Sequence, residues 1–420
     1  MARSTTFTYT VTVSNPGSGN RYYIDGNLQQ YVVLFPGCTY EFNQDDSSNS
    51  GHPLRFSETS DGTHNSGSEY TTGVTTSGTP GSATAWTKIE VTGSTPVILY
   101  YYCSSHSGMG ANIDIPGGSG SGHTDRAAFA GGFAPAANNT IDYIEISTLG
   151  NATDFGDLSQ ARGDATGGSS TTRAVQAGGD ASPVTDKSNV IDYFVFSTKG
   201  NAADFGDLTQ GRTQLNAGSM SNKTRVIFGP GYVSPGGSQN IIDFVTIPSM
   251  GNAVDFGDRY ITDGLRSSGG AASSTRGIFS GGRGPVGNTN VMDYVTLAST
   301  GNSTDFGDQT VERRYLAGLS SSTRAVYGAG RGSSPVLNVM DYVTIASTGN
   351  ATDFGDLLSA YTNPGSSSNS VRGIFTGGSP DKGTIQYITI ASTGNATDFG
   401  DLTVARGNCF GSSGSHGGLQ

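Results

Sequence analysis

The sequence predicts an all-β chain organised as two domains, and three observations carry that prediction. Glycine supplies 64 of 420 residues, about twice the usual ~7%. Charged residues make up only 14%, against a usual ~25%. Glycine lowers helix stability and few charges remain for exposed helix faces, so an ordinary helical architecture is excluded. The third observation is a repeat: Asp-Phe-Gly-Asp occurs six times, starting at Asp154, Asp204, Asp255, Asp305, Asp353 and Asp398.

Residues 1–116 form the first predicted domain. Apolar and polar residues alternate through TFTYTVTV, RYYIDG, YVVLFPG, TYEFNQ, HPLRFSE, TKIEVTG, VILYYYC and ANIDIPG. Seven or eight short strands with polar turns suit a Greek-key β-sandwich. A Gly/Ser segment at 117–122 reads as a flexible linker.

Residues 123–420 carry the repeats. Gly-Asn precedes each Asp-Phe-Gly-Asp, and before that stands a period-two strand: IDYIEI, IDYFVF, IDFVTI, MDYVTL, MDYVTI and IQYITI. A second strand precedes it, as in TRAVQAGG and TRGIFSGG, behind a Ser/Gly-rich stretch often opened by an arginine (Arg162, Arg212, Arg313, Arg406). Four short strands per ~50 residues are the pattern of propeller blades, which bury their faces by radial stacking. The segment 402–413 is a first strand with no partner in its own unit. It can complete the opening unit, giving a six-bladed β-propeller without a free edge. The paired glycines, the strand tyrosine and the fourth-strand aromatic together resemble the kelch repeat, with Phe155 and its equivalents replacing the kelch tryptophan.

Three expectations concern single residues of the repeat. The second glycine of each pair (Gly132, Gly179, Gly231, Gly282, Gly330, Gly378) needs positive φ or close backbone approach, whereas the first position, Pro230 and Ala329 included, does not. Asp-Phe-Gly-Asp reads as a turn whose phenylalanine packs between blades. Arg126, Arg173, Arg225, Arg276, Arg324 and Arg372 are expected to fix the blades by pairing with a motif aspartate. Asp154 and Asp157 invite calcium, but two carboxylates fall short of the six or more oxygens calcium takes. A glycosidase would need an acid pair that stands out from the repeats, and none does.

The sharpest chemical pattern lies in the first domain. Cys103, His106 and Met109 form C-x2-H-x2-M in YYYCSSHSGMG, and His52 stands far upstream in SGHPLRF. A thiolate and two imidazoles suit copper in a trigonal plane, with a weak thioether beside it. The pattern resembles the cupredoxin ligand loop, and that resemblance implies His52, Cys103 and His106 as equatorial copper ligands with Met109 axial. His64, alone in a Gly/Ser loop, reads as a surface residue. Cys38, Cys103 and Cys409 are too few and scattered for a disulfide scaffold.

The cupredoxin-like segments and the Gly-Asn-Ala-Thr-Asp-Phe-Gly-Asp repeats together resemble virion proteins of marine tailed bacteriophages, especially those infecting cyanobacteria. The resemblance implies a non-enzymatic structural protein of the virion, a tail fibre, adhesin or surface decoration. Its partners would be other virion proteins and a host-surface glycan or protein, with homo-oligomers plausible. No apolar h-region opens the sequence, as expected for assembly in the host cytoplasm. A net charge of −11 without a basic face argues against nucleic acid. No apolar run reaches the ~18 residues of a membrane helix. Two alternatives stay open: a copper redox protein using the cupredoxin-like site, and a carbohydrate-binding or carbohydrate-active propeller.

Overall fold

The computed structural model describes all residues except 1–4, 18, 31, 97, 116–124, 182–186, 216, 217, 219, 262 and 420. The chain divides into two compact units, Met1–Gly122 and His123–Gln420. The expected linker at 117–122 lies outside the described residues. The architecture is all-β, with helix among the described residues limited to the 3-10 segments Ser47–Asn49, Gly62–Asn65 and Gly417–Leu419. Among the described residues no helix is long and apolar enough to cross a membrane.

The first unit holds two sheets. One runs Asn27–Leu28, Arg21–Ile24, Thr5–Ser14, Cys38–Asn43, Trp86–Glu90, Val74–Ser77 in spatial order. The other runs Val32–Val33, Ala111–Asp114, Ile98–Cys103, Leu54–Ser57, Glu69–Tyr70. Alternation puts every second side chain inward, so Tyr22, Phe42 and Ile89 of the first sheet share one core with Leu54, Phe56, Leu99 and Ile113 of the second. All eight alternating segments of the sequence contribute strand. Their pairing is mixed, because Thr5–Ser14 lies parallel to Cys38–Asn43.

The second unit is a succession of small antiparallel sheets. The first contains Phe410–Ser413, Arg126–Ala130, Thr140–Glu145 and Thr153–Asp157, so the C-terminal strand pairs with the opening repeat, Ala127 opposite Ser413. Four-stranded sheets follow from Thr166–Ser169, Gly269–Ala272, Ala317–Ser320 and Gly365–Ser368. The sheet of Arg225–Phe228, Ile241–Thr246 and Val254–Asp258 shows three described strands. Beside it, Ser221 bridges Val226.

Asp-Phe-Gly-Asp is a strand, not the expected turn. Gly156 pairs with Ile141 and Asp154 with Asp142, so Phe155 is the extra residue of a bulge. The bulge turns Phe155 inward against Phe194 of the following sheet, 5.1 Å between ring centroids. The motif backbone then docks the next repeat. Gly200 N–H donates to Phe155 O (2.9 Å), Ala202 N–H to Asp157 O (2.7 Å), and Asp157 N–H to Asn201 Oδ1 (3.1 Å). The same set recurs at each junction, and the sixth repeat meets the first through Gly150, Asn151 and Ala152 on Phe399 and Asp401. Gly156 is required here: its φ is +149° and an added Cβ would lie 2.4 Å from Gly200 O.

Two further expectations are corrected. Positive φ is needed at the first glycine-pair position too: Gly131, Gly178, Gly281 and Gly377 have it, and Ala329 adopts φ 66°. Only the Pro230 copy departs, since its ring fixes φ negative. The arginines of the second strand do not pair with motif aspartates. Each sends Nη1 to a backbone carbonyl of the following sheet, as Arg173 does to Ile247 O (2.9 Å), and stacks over an aromatic ring, as over Tyr193 (4.6 Å). Arg126 also meets Glu145 at 2.8 Å. A guanidinium offers five donors in a fork, so it clamps carbonyl and ring together.

The carboxylate-paired arginines are those that open the Ser/Gly stretches, together with Arg259. Arg162–Asp192, Arg212–Asp243, Arg259–Asp293, Arg313–Asp341 and Arg406–Asp142 are ion pairs with no exposure of either side chain. In the last repeat Tyr361 and Gln386 take those two places, and Gln386 Nε2 donates to Tyr361 Oη at 2.6 Å. Both partners changed together, which leaves no lone charge buried.

Candidate metal centre

The site is built where two neighbouring strands of the smaller sheet end. Leu54–Ser57 and Ile98–Cys103 run antiparallel with Cys103 opposite Leu54. His52 therefore lies two residues before the partner of Cys103, although the two are 51 apart in sequence. Ser104 N–H donates to Pro53 O (3.0 Å), extending the pairing past the strand ends. His106 returns three residues after Cys103 on the same loop.

His52 Nδ1 lies 3.8 Å from Cys103 Sγ and His106 Nδ1 3.7 Å from it. The three donor atoms lie within 4.8 Å of one another, with His52 and Cys103 buried and His106 exposed. A trigonal site with bonds of about 2.0–2.3 Å places nitrogen and sulfur roughly 3.7 Å apart. Each contact suits a thiol–imidazole hydrogen bond, and the same spacing suits a shared cation. The residues fit a metal ion, and the group could hold one. Met109, the fourth sequence candidate, is fully buried in the core cluster that contains Cys103.

Buried polar groups fix His52. Its carbonyl accepts from Tyr22 Oη (2.7 Å) and Gln44 Nε2 (2.9 Å), and its N–H donates to Asn49 O (2.8 Å). Gln44 Oε1 also accepts from Leu54 N–H (3.1 Å), so one side chain ties the ligand to its strand. The Asn20 amide lies 3.3 Å from His52 Nε2, holding the ring with Nδ1 toward Cys103. Burial, and then the neighbouring His106, lower the pKa of His52, which favours the neutral imidazole a metal needs.

The loop around His106 and Met109 is anchored from three sides. Gly108 N–H donates to Asp61 Oδ1 (2.8 Å), Gln29 Nε2 donates to Gly110 O (2.7 Å), and Tyr22 N–H donates to Met109 O (2.9 Å). His64 is exposed as expected, yet its Nε2–H donates to Cys103 O at 2.9 Å. It supports the ligand strand from outside. Sequence reasoning missed Asn20, Gln29, Asp61 and the supporting role of His64, because they come from three separate segments and no spacing rule links them to the ligands. At the motif aspartates, Asp154 is exposed, and the His52, Cys103 and His106 cluster is the one metal-competent group of its kind among the described residues. No protein family matches this chain in a scan of family profiles, and a search of curated proteins likewise finds no match.

Proposed function

We propose that this chain is a non-enzymatic structural protein of a phage virion, a tail fibre, adhesin or surface decoration. In this reading the second unit is a closed six-bladed, kelch-like propeller and the first is a cupredoxin-like Greek-key sandwich. The observation that carries it is the division of labour within the repeat. The repeated aspartates, asparagines and arginines are engaged in junctions between consecutive sheets, including the junction of the sixth with the first. The connections after the second strand, such as 133–139, 285–286 and 331–338, share no such pattern. A rigid ring with variable loops suits display to a host glycan or protein. The sandwich would then attach to other virion proteins. Mass spectrometry and antibody labelling of purified particles test this: the chain is expected at fixed stoichiometry, and its absence from intact particles refutes it.

The donor spacing favours a second property, copper binding at His52, Cys103 and His106, with Met109 as the weak fourth ligand. Bound copper would supply one-electron redox chemistry, and the buried polar groups around His52 would hold the ligands in place for either charge state. Titration with Cu(II) is expected to give one equivalent bound and a thiolate charge-transfer band that Cys103→Ser abolishes. No band and no bound copper would refute this reading.

A further inference from the structure

Six residues, one from each repeat, meet around a small cavity of the second unit. Asp164, Gln214, Tyr315 and Asn408 stand two places after the buried arginines Arg162, Arg212, Arg313 and Arg406. Asn363 stands two places after Tyr361, and Ser267 takes the remaining position. All six have positive φ, between 54° and 60°. Backbone bonds link them in succession. Ser267 N–H donates to Gln214 O (2.7 Å), Tyr315 N–H to Ser267 O (2.9 Å) and Asn363 N–H to Tyr315 O (2.8 Å). Asn408 N–H donates to Asn363 O (3.1 Å) and Asp164 N–H to Asn408 O (3.2 Å). These N–H groups are therefore occupied by one another. Among the described residues no lysine, arginine or histidine lines the cavity. An anion would need donors of those two kinds.

The cavity gathers oxygen instead. Asp164, Gln214, Ser267, Asn363 and Asn408 each carry a side-chain oxygen, and Ser268 adds a hydroxyl beside the apolar Leu215 and Leu316. Gln214 Oε1, Ser267 Oγ and Ser268 Oγ are buried without a hydrogen-bond partner, and both serines are more than nine-tenths buried. Unmet buried oxygens are rare in a folded chain, and a bound ion or water is their usual explanation.

Charge decides between those two. The Asp164 carboxylate accepts from Asn408 Nδ2, which is neutral. The nearby Lys187 is bonded to Asp180 at 3.0 Å, so that pair brings no net charge. Arg266 and Arg314 flank the cavity in sequence but do not line it. Arg266 stacks over Tyr232, and Arg314 Nη1 donates to Asn288 Oδ1 (2.9 Å). The cavity measures about 20 Å³, room for one water-sized guest. A cation of that size answers a carboxylate without a counter-ion, whereas a water does not.

We propose that Asp164, Gln214, Ser267 and Ser268, with the amides of Asn363 and Asn408, bind one calcium ion that ties the repeats together from within. Calcium takes about six to eight oxygens, amide oxygens included, in a tolerant geometry. Magnesium keeps several waters, for which a one-guest cavity has no room. One carboxylate among neutral oxygens places the site at the weak end of calcium binding, with Kd about 10⁻⁴–10⁻³ M. The proposal goes beyond the virion reading and is read independently of whether the chain occurs in particles. Cys103, His52 and His106 are soft donors, so calcium does not report on the first unit.

Thermal unfolding of the full chain, first stripped with a chelator, tests the site with CaCl2 against MgCl2 and NaCl at matched ionic strength. Calcium at roughly tenfold excess over Kd is expected to raise Tm by about 2–4 °C, and the other two salts by less than half of that. Asp164→Asn, which removes the charge and keeps the shape, should weaken calcium binding by about tenfold or more. Ser268→Ala loses no hydrogen bond of the fold and should weaken it severalfold. Asp154→Asn, at an exposed motif aspartate, should leave the calcium shift intact. Each shift is read against the same variant in chelator, which separates binding from basal stability. No calcium shift in the unaltered chain, an equal shift with magnesium or sodium, or a full shift in Asp164→Asn overturns the proposal.

Discussion

Asp142→Gln is the most informative single change in the second unit. Arg406 and Asp142 are both fully buried. Arg406 Nη1 meets Asp142 Oδ2 at 2.8 Å and Nη2 meets Phe129 O at 3.0 Å, while Thr403 Oγ1 donates to Asp142 Oδ1 at 2.5 Å. Removing the carboxylate strands a desolvated guanidinium, which costs about 3–5 kcal/mol. Arg406→Tyr strands the carboxylate at similar cost. The sixth repeat shows a neutral solution for the same place: Gln386 bonds Tyr361, and Leu358 N–H donates to Gln386 Oε1 at 2.8 Å, as Thr403 N–H does to Asp142. The double variant Asp142→Gln/Arg406→Tyr copies that pair, so its cost should fall to about 0–2 kcal/mol. The coupling energy is then at least about 3 kcal/mol. Thermal and urea unfolding of the four proteins measure it, each single variant losing roughly 6–15 °C of Tm. The reasoning fails if Asp142→Gln stays within about 1 kcal/mol of wild type, or if the double variant is no more stable than the worse single.

Other outcomes follow from the same geometry. Gly156→Ala should destabilise by about 2 kcal/mol or more in thermal unfolding, because its Cβ would strike Gly200 O; Gly150→Ala, at φ +151° with nothing within 4 Å, should cost clearly less. His64→Ala should weaken copper binding about tenfold in competition titrations by freeing Cys103 O, without removing the charge-transfer band. Stability against pH carries two opposed contributions: burial pushes His416 down to about 4 and Asp164 up to about 6. Between those values unfolded His416 holds a proton that the folded state lacks, so its contribution rises with pH. Folded Asp164 holds one that the unfolded state lacks, so its contribution falls. Unfolding from pH 4 to 6 should therefore show a rise in stability with pH for Asp164→Asn and a fall for His416→Gln, each roughly 2 kcal/mol across the window.

Period made the strands legible, and the spacing of Cys103, His106 and Met109 made the metal site legible as a set of donor types. What stayed hidden depends on register. The Asp-Phe-Gly-Asp motif has turn-forming residues at three of four positions, yet its phenylalanine is extruded by a bulge that only the partner strand reveals. The arginine roles were exchanged for a related reason. Arg173 and Arg162 are 11 residues apart in one repeat, and sequence alone does not say which faces the interior. Arg162 is buried against Asp192 of the adjoining hairpin, whereas Arg173 lies half-buried on a backbone carbonyl of the next sheet. The aspartate before the strand aromatic, present in every copy but Gln386, was the available signal, because a carboxylate inside an apolar strand needs a buried cation.

Departures from the repeat separate two kinds of change. At Tyr361 and Gln386 both partners differ from the pattern, and each satisfies the other at 2.6 Å. That departure is closed within the fold and asks for no ligand. At Arg266, Arg283, Arg314 and Arg331 the repeat is also broken: Arg314 Nη1 donates to Asn288 Oδ1 (2.9 Å) and Arg266 stacks over Tyr232, with no ion pair to these four among the described residues. Four like charges left together oppose folding, so a fold that keeps them gains nothing from them in isolation. In the first unit Cys103 Sγ lies within 3.8 Å of two imidazole nitrogens, a spacing that a metal ion fits.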